Sequence, residues 1–399
     1  MKLTYRSTML ACYNGYITQA ISINLAPLLY LTFQSAFGLS VGAISSLIAV
    51  NFSTQLLIDF LASRFSDRMN LRFFAVLAHV LVAVGLAGLS IFPMILPPYI
   101  GLLVAETLLG IGGGFTEVLI SPLMEACPTE EKSGNMSLLH SFYCWGQAGD
   151  VLLSGIYFSF FEIEESWRFL PFLWALVPVV GAIAFSVVPI YHLPGDGEGK
   201  HSSYRRLFGM PLFFCFLLMM FCAGAGEMTM SQWSSAFAES ALGVSKALGD
   251  LLGPCMFALM MGLTRALYGK FSHRIDLHKM MILGCIGCAG AYLLSAFAPH
   301  PAFSLLGCTL CGFSVGIFWP GVLSRASEAI PTGGISMFAI LALAGDLGCL
   351  IGPSVAGGIA DMLGGELKWA FCFAVIFPIV CLVTLLLYKM LYNKRKERL

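Results

Sequence analysis

Residues 63–72 read Ser-Arg-Phe-Ser-Asp-Arg-Met-Asn-Leu-Arg, and residues 269–278 read Gly-Lys-Phe-Ser-His-Arg-Ile-Asp-Leu-His. Both stretches carry a basic residue, Phe-Ser, Arg, an Asn/Asp position and Leu in the same order, and each follows a long apolar run. Two further matches lie downstream. Glu125-Ala-Cys-Pro-Thr129 pairs with Glu328-Ala-Ile-Pro-Thr332, and Ala148-Gly-Asp150 pairs with Ala344-Gly-Asp346. The offsets are 206, 203 and 196 residues, each close to half of the 399-residue chain. One such match is within reach of chance. Three in the same order describe a chain made of two related halves.

Composition says what each half is. Hydrophobic residues make up 58% of the chain and charged residues 11%, against roughly 25% charged in an ordinary soluble domain. Apolar runs occupy 8–36, 42–64, 71–92, 99–124, 134–160 and 167–190, then 209–238, 244–269, 277–298, 301–325, 333–361 and 368–391. Each approaches or exceeds the ~20 residues that a bilayer-spanning helix needs. The fold class expected is an all-α membrane protein of twelve transmembrane helices. They form two six-helix bundles related by pseudo-two-fold symmetry, 1–190 and 209–399, with a cytoplasmic linker at 191–208 and a short basic tail. With a cytoplasmic N-terminus, every Lys and Arg except Arg168, Lys246, Lys368 and Arg265 falls at a cytoplasmic end. Both termini are then cytoplasmic, in a multi-pass protein of the plasma membrane, the inner membrane of a bacterium. The run after Lys2 and Arg6 is too long and too polar (Asn14, Gln19, Asn24) for a signal peptide and is read as the first span.

Several function classes fall away. Net charge is zero, from 22 basic and 22 acidic residues, so nucleic acid is not an expected partner. No nucleophile–base pair or HExxH motif marks an enzyme, and a receptor would need an output domain for which the spans leave no room. The run Gly110-Ile-Gly-Gly-Gly114 sits inside an apolar span, without a following Lys-Ser/Thr or a preceding strand, so it reads as close helix packing rather than a phosphate loop. The pairs Cys285/Cys288 and Cys308/Cys311 lie in spans without a neighbouring His and read as reduced packing residues. No cofactor is expected. Without an ATP-binding motif, the energy source is an ion gradient.

At these residues the chain resembles the major facilitator superfamily, whose signature after its second helix runs approximately G-x-x-x-D-R-x-G-R-R. Here it reads Ser63-x-x-x-Asp67-Arg68-x-Asn70-x-Arg72, keeping the Asp-Arg core and replacing both glycines. Gly352-Pro353 and Gly357-Gly358 are similar to the family's Gly/Pro-rich helices. A narrower resemblance, to the fucose permease-like branch of sugar:proton symporters, rests on two groups. One is Gly110–Gly114, Glu117, Pro122 and Pro128-Thr-Glu130. The other is Gly224-Ala-Gly-Glu227 with Trp233. The first span has no acidic residue where that branch carries one. The resemblance implies alternating access around a midplane site between two rocking bundles, with the fifth and eleventh spans lining the cavity.

Ionisable groups inside a bilayer cost about 3 kcal/mol or more, so each needs a partner, water or a function. Glu117 lies eleven residues before Pro128, about 16 Å inside that landmark, where a carboxyl suits reversible proton binding and therefore coupling. Glu227 is the second proton-coupling candidate. With Gln232 and Trp233 it also suits a sugar, the acid accepting hydroxyl hydrogens while the ring covers the apolar face. Asp150 and Asp346 are repeat-related, and either line the substrate site or cap helix breaks beside Gly149 and Gly345. Glu106 belongs to packing or an entry path. Further substrate-binding candidates are Asn14, Gln19, His140, Tyr143, Gln147 and Trp319, with Asn24, Asn51, Gln55 and Trp145 as other polar or aromatic lining. Asp59, Asp67, Arg68, Glu125, Arg265, Arg274, Arg325 and Glu328 form an expected cytoplasmic gate, Asp59 and Arg265 being repeat partners of opposite charge. The function expected is proton-coupled symport of a small polar solute, a sugar. Sodium is an alternative coupling ion, and a proton-antiporting exporter of amphipathic compounds or drugs is the alternative activity. The partners are substrate, protons and membrane lipid, and the chain is expected to be a monomer.

Overall fold

The computed structural model describes residues 3–39, 41–65, 69–162, 166–193, 204–242, 251–364 and 366–396. Every regular element among them is helical. The first stretch of chain forms α1 (Tyr5–Phe37), α2 (Val41–Phe65), α3 (Leu71–Ile95), α4 (Pro98–Ala126), α5 (Lys132–Phe160) and α6 (Leu170–Val187). A short α7 (Tyr204–Phe208) precedes α8 (Pro211–Leu242) and a π-turn, Leu251–Cys255. Then follow α9 (Met256–Phe271), α10 (Leu277–Phe297), α11 (Pro301–Val315), α12 (Phe318–Ala329), α13 (Gly334–Met362), α14 (Lys368–Ala374) and α15 (Ile376–Lys396).

The repeated loop motif has a local physical meaning. Its Asn/Asp position is a helix N-cap in both copies: Asn70 Oδ1 accepts from Phe73 N at 3.0 Å and Asp276 Oδ1 from Lys279 N at 2.8 Å. Each satisfies a backbone donor that the first turn of α3 or α10 leaves free. The following Leu71 and Leu277 are buried, which fixes the entry angle of both helices. Arg72, the last residue of the first motif copy, reaches past α3 to the end of α6. Its guanidinium donates to the carbonyls of Phe185, Ser186 and Val188 at 2.7–2.9 Å, taking up acceptors that the helix end leaves unpaired.

Among the described residues, eight helical stretches are long and apolar enough to cross a membrane. They lie on α3, α4, α6, α8, α10, α11–α12, α13 and α14–α15. The remaining long helices include α1 and α5, whose Asn14, Gln19 and Asn24, and His140, Gln147 and Asp150, lower the apolar content. This is a multi-pass membrane protein.

The chain separates into two compact units, Met1–Thr129, Phe142–His201 and Gly334–Ala339 in one, and Glu130–Ser141, Ser202–Gly333 and Ile340–Leu399 in the other. In the first, α4 packs on α1, α2 and α3. The Gly110–Gly114 run makes that possible: a Cβ at Gly110 would lie 2.6 Å from Asn51 O and one at Gly112 2.7 Å from Ala78 O. In the second, α8 and α13 touch backbone to backbone, since a Cβ at Gly224 would meet Gly345 O, and one at Gly348 would meet Phe221 O, both at 2.1 Å. Close approach through small residues is the usual way that membrane helices associate. The 130–141 segment packs on α9 and the turn after it through Ser133 and Tyr268 hydroxyls at 3.2 Å, Ser137 Oγ donating to Arg265 O at 2.8 Å, and Ser272 Oγ donating to Glu131 at 2.8 Å.

Asp150 and Asp346 cap no helix break. Both lie inside continuous helices, α5 and α13, so that expectation is corrected. A break occurs instead at Gly316–Ile317, where the chain turns between α11 and α12. Lys246 and the linker residues 194–203 lie outside the described residues.

Candidate functional site

The polar residues of the first unit converge on α4. Glu117 is half-buried, and its Oε2 accepts from Gln19 Nε2 at 2.8 Å and from Gln55 Nε2 at 2.5 Å. Asp59, fully buried one turn beyond Gln55 on α2, has a carboxylate oxygen within 4.8 Å of one on Glu117. Three turns back along α4, Glu106 is 1% exposed and accepts from Asn51 Nδ2 at 2.8 Å and from the Tyr30 hydroxyl at 3.2 Å. Asn51, Gln55 and Asp59 follow at i, i+4 and i+8, so one stripe of α2 faces one stripe of α4. Two acids in this proximity can hold a cation or a proton. Neutral amide donors already occupy Glu117 Oε2, and such a hydrogen-bonded surround is the chemistry of proton exchange more than of a metal shell.

The other candidates of this unit are engaged more locally. Asn14 Nδ2 donates to Val177 O at 3.2 Å, which ties α1 to α6, and Asn24 Nδ2 donates to Ala20 O within α1. Asp150 accepts from Ser154 Oγ at 3.4 Å, and Ser154 accepts from Trp174 Nε1 at 3.0 Å, so this acid serves an α5–α6 contact. Tyr143 and Gln147 are half-buried on α5 and Trp145 is exposed.

In the second unit Glu227 meets Arg265. Arg265 Nη2 lies 3.2 Å from Glu227 Oε2, with side-chain exposures of 3% and 14%. Arg265 also donates from Nε to Gly316 O at 2.9 Å and from Nη1 to His140 O at 3.3 Å. It therefore holds α8, α9, the α11–α12 break and the 130–141 segment together. The expected pairing of Glu227 with Trp233 is not formed. Six residues turn a helix by about 240°, so the two side chains leave α8 on different faces, and Trp233 Nε1 donates instead to Pro353 O at 3.0 Å. Gln232 is exposed. Trp319 is half-buried against Gly345, where a Cβ would come within 2.4 Å of its ring, and Asp346 is half-buried on the next residue of α13. The His140 side chain is buried.

Of the expected gate, Arg325 pairs with Glu328 one turn along α12 at 2.7 Å, and Arg274 is exposed and bonds His273. Glu125 is half-buried at the end of α4. Asp67 and Arg68 lie outside the described residues. The Asp59–Glu117 proximity and the Glu227–Arg265 pair were not anticipated. The first had a sequence signal in the i, i+4, i+8 stripe of α2. The second had none, because its partners are 38 residues apart on different helices.

A sequence profile of the Major Facilitator Superfamily matches residues 8–336. No curated protein matches the chain by sequence. The fold is similar to that of the E. coli fucose:proton symporter, with 16% identity over 96% of this chain and 99% of that one and a TM-score of 0.81. It is also similar to the proton:xylose symporter bound to 6-bromo-6-deoxy-D-glucose, with 16% identity, 94% of each chain covered and a TM-score of 0.77. The human organic anion transporter MFSD10 gives 14% identity over 97% of this chain and 100% of that one, with a TM-score of 0.73.

Proposed function

This chain belongs to the major facilitator superfamily of membrane transporters, and from that premise we propose that it carries a small polar solute, a sugar, by proton-coupled symport with alternating access. The observation that carries the reading is Glu117, an acid in the middle of α4 held by two glutamine amides and within 4.8 Å of Asp59. Two carboxylates so placed, one half-buried and one fully buried, repel each other, and a proton taken up by either relieves the pair. The fold likeness to two sugar:proton symporters supports the substrate class.

In this reading Glu117 is the proton site, with Asp59 as its partner. Glu227 answers to Arg265, so a change in the protonation of Glu227 alters the hold on four segments at once. Substrate contacts are assigned to Asn14, Gln19, His140, Tyr143, Gln147, Asp150, Gln232, Trp233, Trp319 and Asp346. The gate is assigned to Glu125, Arg274, Arg325 and Glu328 with the loop residues Asp67 and Arg68. The twelve spans form two six-helix bundles, 1–190 and 209–399, related by pseudo-two-fold symmetry and joined through 191–208. Both termini face the cytoplasm of a cell whose inner membrane holds the protein as a monomer. The coupling ion is the proton, with sodium as the competing ion.

The test is proton flux in vesicles containing the purified protein. Addition of L-fucose, D-xylose or other sugars should make the outer medium more alkaline, and Glu117→Gln should abolish that signal while leaving a sugar-induced thermal shift. Proton release on addition of an amphipathic drug, with no response to any sugar, overturns symport in favour of antiport. A sugar signal that requires sodium and ignores pH overturns the choice of ion.

A further inference from the structure

We propose that Glu106 is a second proton-carrying carboxyl, joined to Glu117 by a hydrated polar seam that runs inside the first unit along α4. The idea deepens the proposed function and rests on Glu117 being a proton site. On α4, Glu106, Gly110, Gly113 and Glu117 recur at helical spacing, so the two acids share one face about 16 Å apart. Asn51 and Gln55 line the seam from α2, and Gln19, Ser22 and Tyr30 line it from α1.

Glu106 is buried and no cation pairs with it among the described residues. Its partners are a phenol and an amide, Tyr30 and Asn51. A carboxylate in that setting carries uncompensated charge within the bilayer, and a proton removes the cost. Tyr30 and Asn51 face Glu106, while Gln19, Gln55 and Asp59 face Glu117. From α3 the approach to α4 is apolar, through Ala78, Val82 and Gly85, and His79 is turned toward Gly15 and Gly181 of α1 and α6.

A second observation comes from the amides between the acids. Gln19, Asn51 and Gln55 each spend their N–H on a carboxylate, and the side-chain oxygens of all three are buried without a hydrogen-bond partner. The three residues are 4–5% exposed, so bulk solvent does not serve them. Buried amide oxygens are seldom left unpaired, and water is the donor that fits a small polar gap. Gly113 brings α4 close to this file: a Cβ there would sit 3.0 Å from Ser22 Oγ and 3.6 Å from Gln55 Oε1, so even a methyl group would press on two seam oxygens. Asn51 Nδ2 also lies 3.5 Å from Ser22 O, and Ser22 Oγ donates to Gln19 O at 2.7 Å, which makes the polar file continuous.

The transfer is a simple relay. The proton on Glu106 passes to a seam water, that water gives a proton to the Glu117 carboxylate, and Glu106 regains one from the Pro98 end of α4. No other reactant is consumed. A cation occupant is disfavoured because amide N–H groups point at both carboxylates.

Infrared difference spectroscopy of the full chain in lipid, titrated with pH and exchanged into D2O without substrate, tests this. Among the carboxyl bands of the wild type, those of Glu106 and Glu117 should both titrate and exchange. Glu106→Gln should remove one, Glu106→Asp should restore a band, and Asn51→Leu should shift it by deleting its amide donor. Gly113→Ala keeps both acids but crowds the Ser22 hydroxyl and the Gln55 side-chain oxygen. It should slow exchange at the Glu117 band about tenfold, or about 1.4 kcal/mol of barrier. A Glu106→Gln spectrum that matches the wild type throughout the titration overturns the proposal. So does Glu117 exchange that is unchanged in both Gly113→Ala and Glu106→Gln, or a band response to sodium in place of protons. If Glu117→Gln leaves sugar-driven alkalinisation intact while Glu106→Gln still removes a band, the reading of Glu117 fails, and with it the relay.

Discussion

The Arg265 guanidinium spends its donors on Glu227, Gly316 O and His140 O in a place almost closed to solvent. Cutting one half of such a pair leaves the other charge buried alone, which costs about 3–5 kcal/mol, whereas replacing both by neutral groups of similar size is often tolerated. Glu227→Ala should therefore lower the melting temperature of detergent-purified protein sharply, and Glu227→Gln/Arg265→Gln should recover most of the loss. Transport should fail in the single and the double variant alike. A double variant whose loss equals the sum of the singles would show that the two side chains act independently. The pair also shows why this part of the site was hidden. Glu227 stood out in the sequence as an acid inside a span, but its nearness to Trp233 in the chain suggested a sugar clamp that helix geometry does not form.

At the scale of elements, α8 and α13 meet through Gly224 and Gly348 with no room for a methyl group. Gly348→Val should prevent recovery of folded protein, because backbone rather than a movable side chain stands in the way. Gly226→Ala, whose Cβ would touch Phe377 Cβ at 3.8 Å, should leave yield and melting temperature near those of the wild type. Equal effects in size-exclusion yield would count against this packing. On the other unit, Arg72→Ala removes three acceptor contacts at the end of α6 and should cost about 1.5–3 kcal/mol, the range for hydrogen bonds to a charged group. Lys at that position should recover part, since a point charge cannot fork to three carbonyls. Much of this was legible. The doubled loop motif placed the starts of α3 and α10, and its Asn/Asp position turns out to be the cap that starts them. The glycine run was legible as packing. The reach of Arg72 to Val188 and of Arg265 to Gly316 was not, because local pattern carries no information about which distant helix end a long side chain will meet. The α2 stripe of Asn51, Gln55 and Asp59 was legible by spacing alone, yet Asp59 was assigned to the cytoplasmic gate by its position near the end of a span.

For the whole molecule, the distribution of Lys and Arg predicts that N- and C-terminal tags are both cleaved by protease from the cytoplasmic face of inside-out vesicles and resist it in right-side-out ones. Opposite accessibility of the two tags would overturn an even number of spans. None of the thirteen cysteines forms a disulfide. Cys222, Cys285, Cys288, Cys308, Cys311 and Cys381 are buried within the second unit, with Cys288 and Cys311 sulfurs 3.8 Å apart. A membrane-impermeant maleimide should spare these six until the protein is denatured. Rapid labelling in the native state would mean that the unit opens. The anchoring of Arg72 bears on how such a protein is made. The guanidinium leaves the ribosome 116 residues before its last acceptor, Val188. At 5–20 residues per second that is a wait of roughly 6–23 s. For that interval a permanent cation stands at the membrane surface with its final partners still unsynthesised. The nascent chain must shelter it with water or lipid phosphate until α6 arrives. Closure of the first unit is thus timed by the emergence of its sixth helix, and a pause in translation just before residue 188 should lengthen the period in which quality-control proteases can recognise the chain.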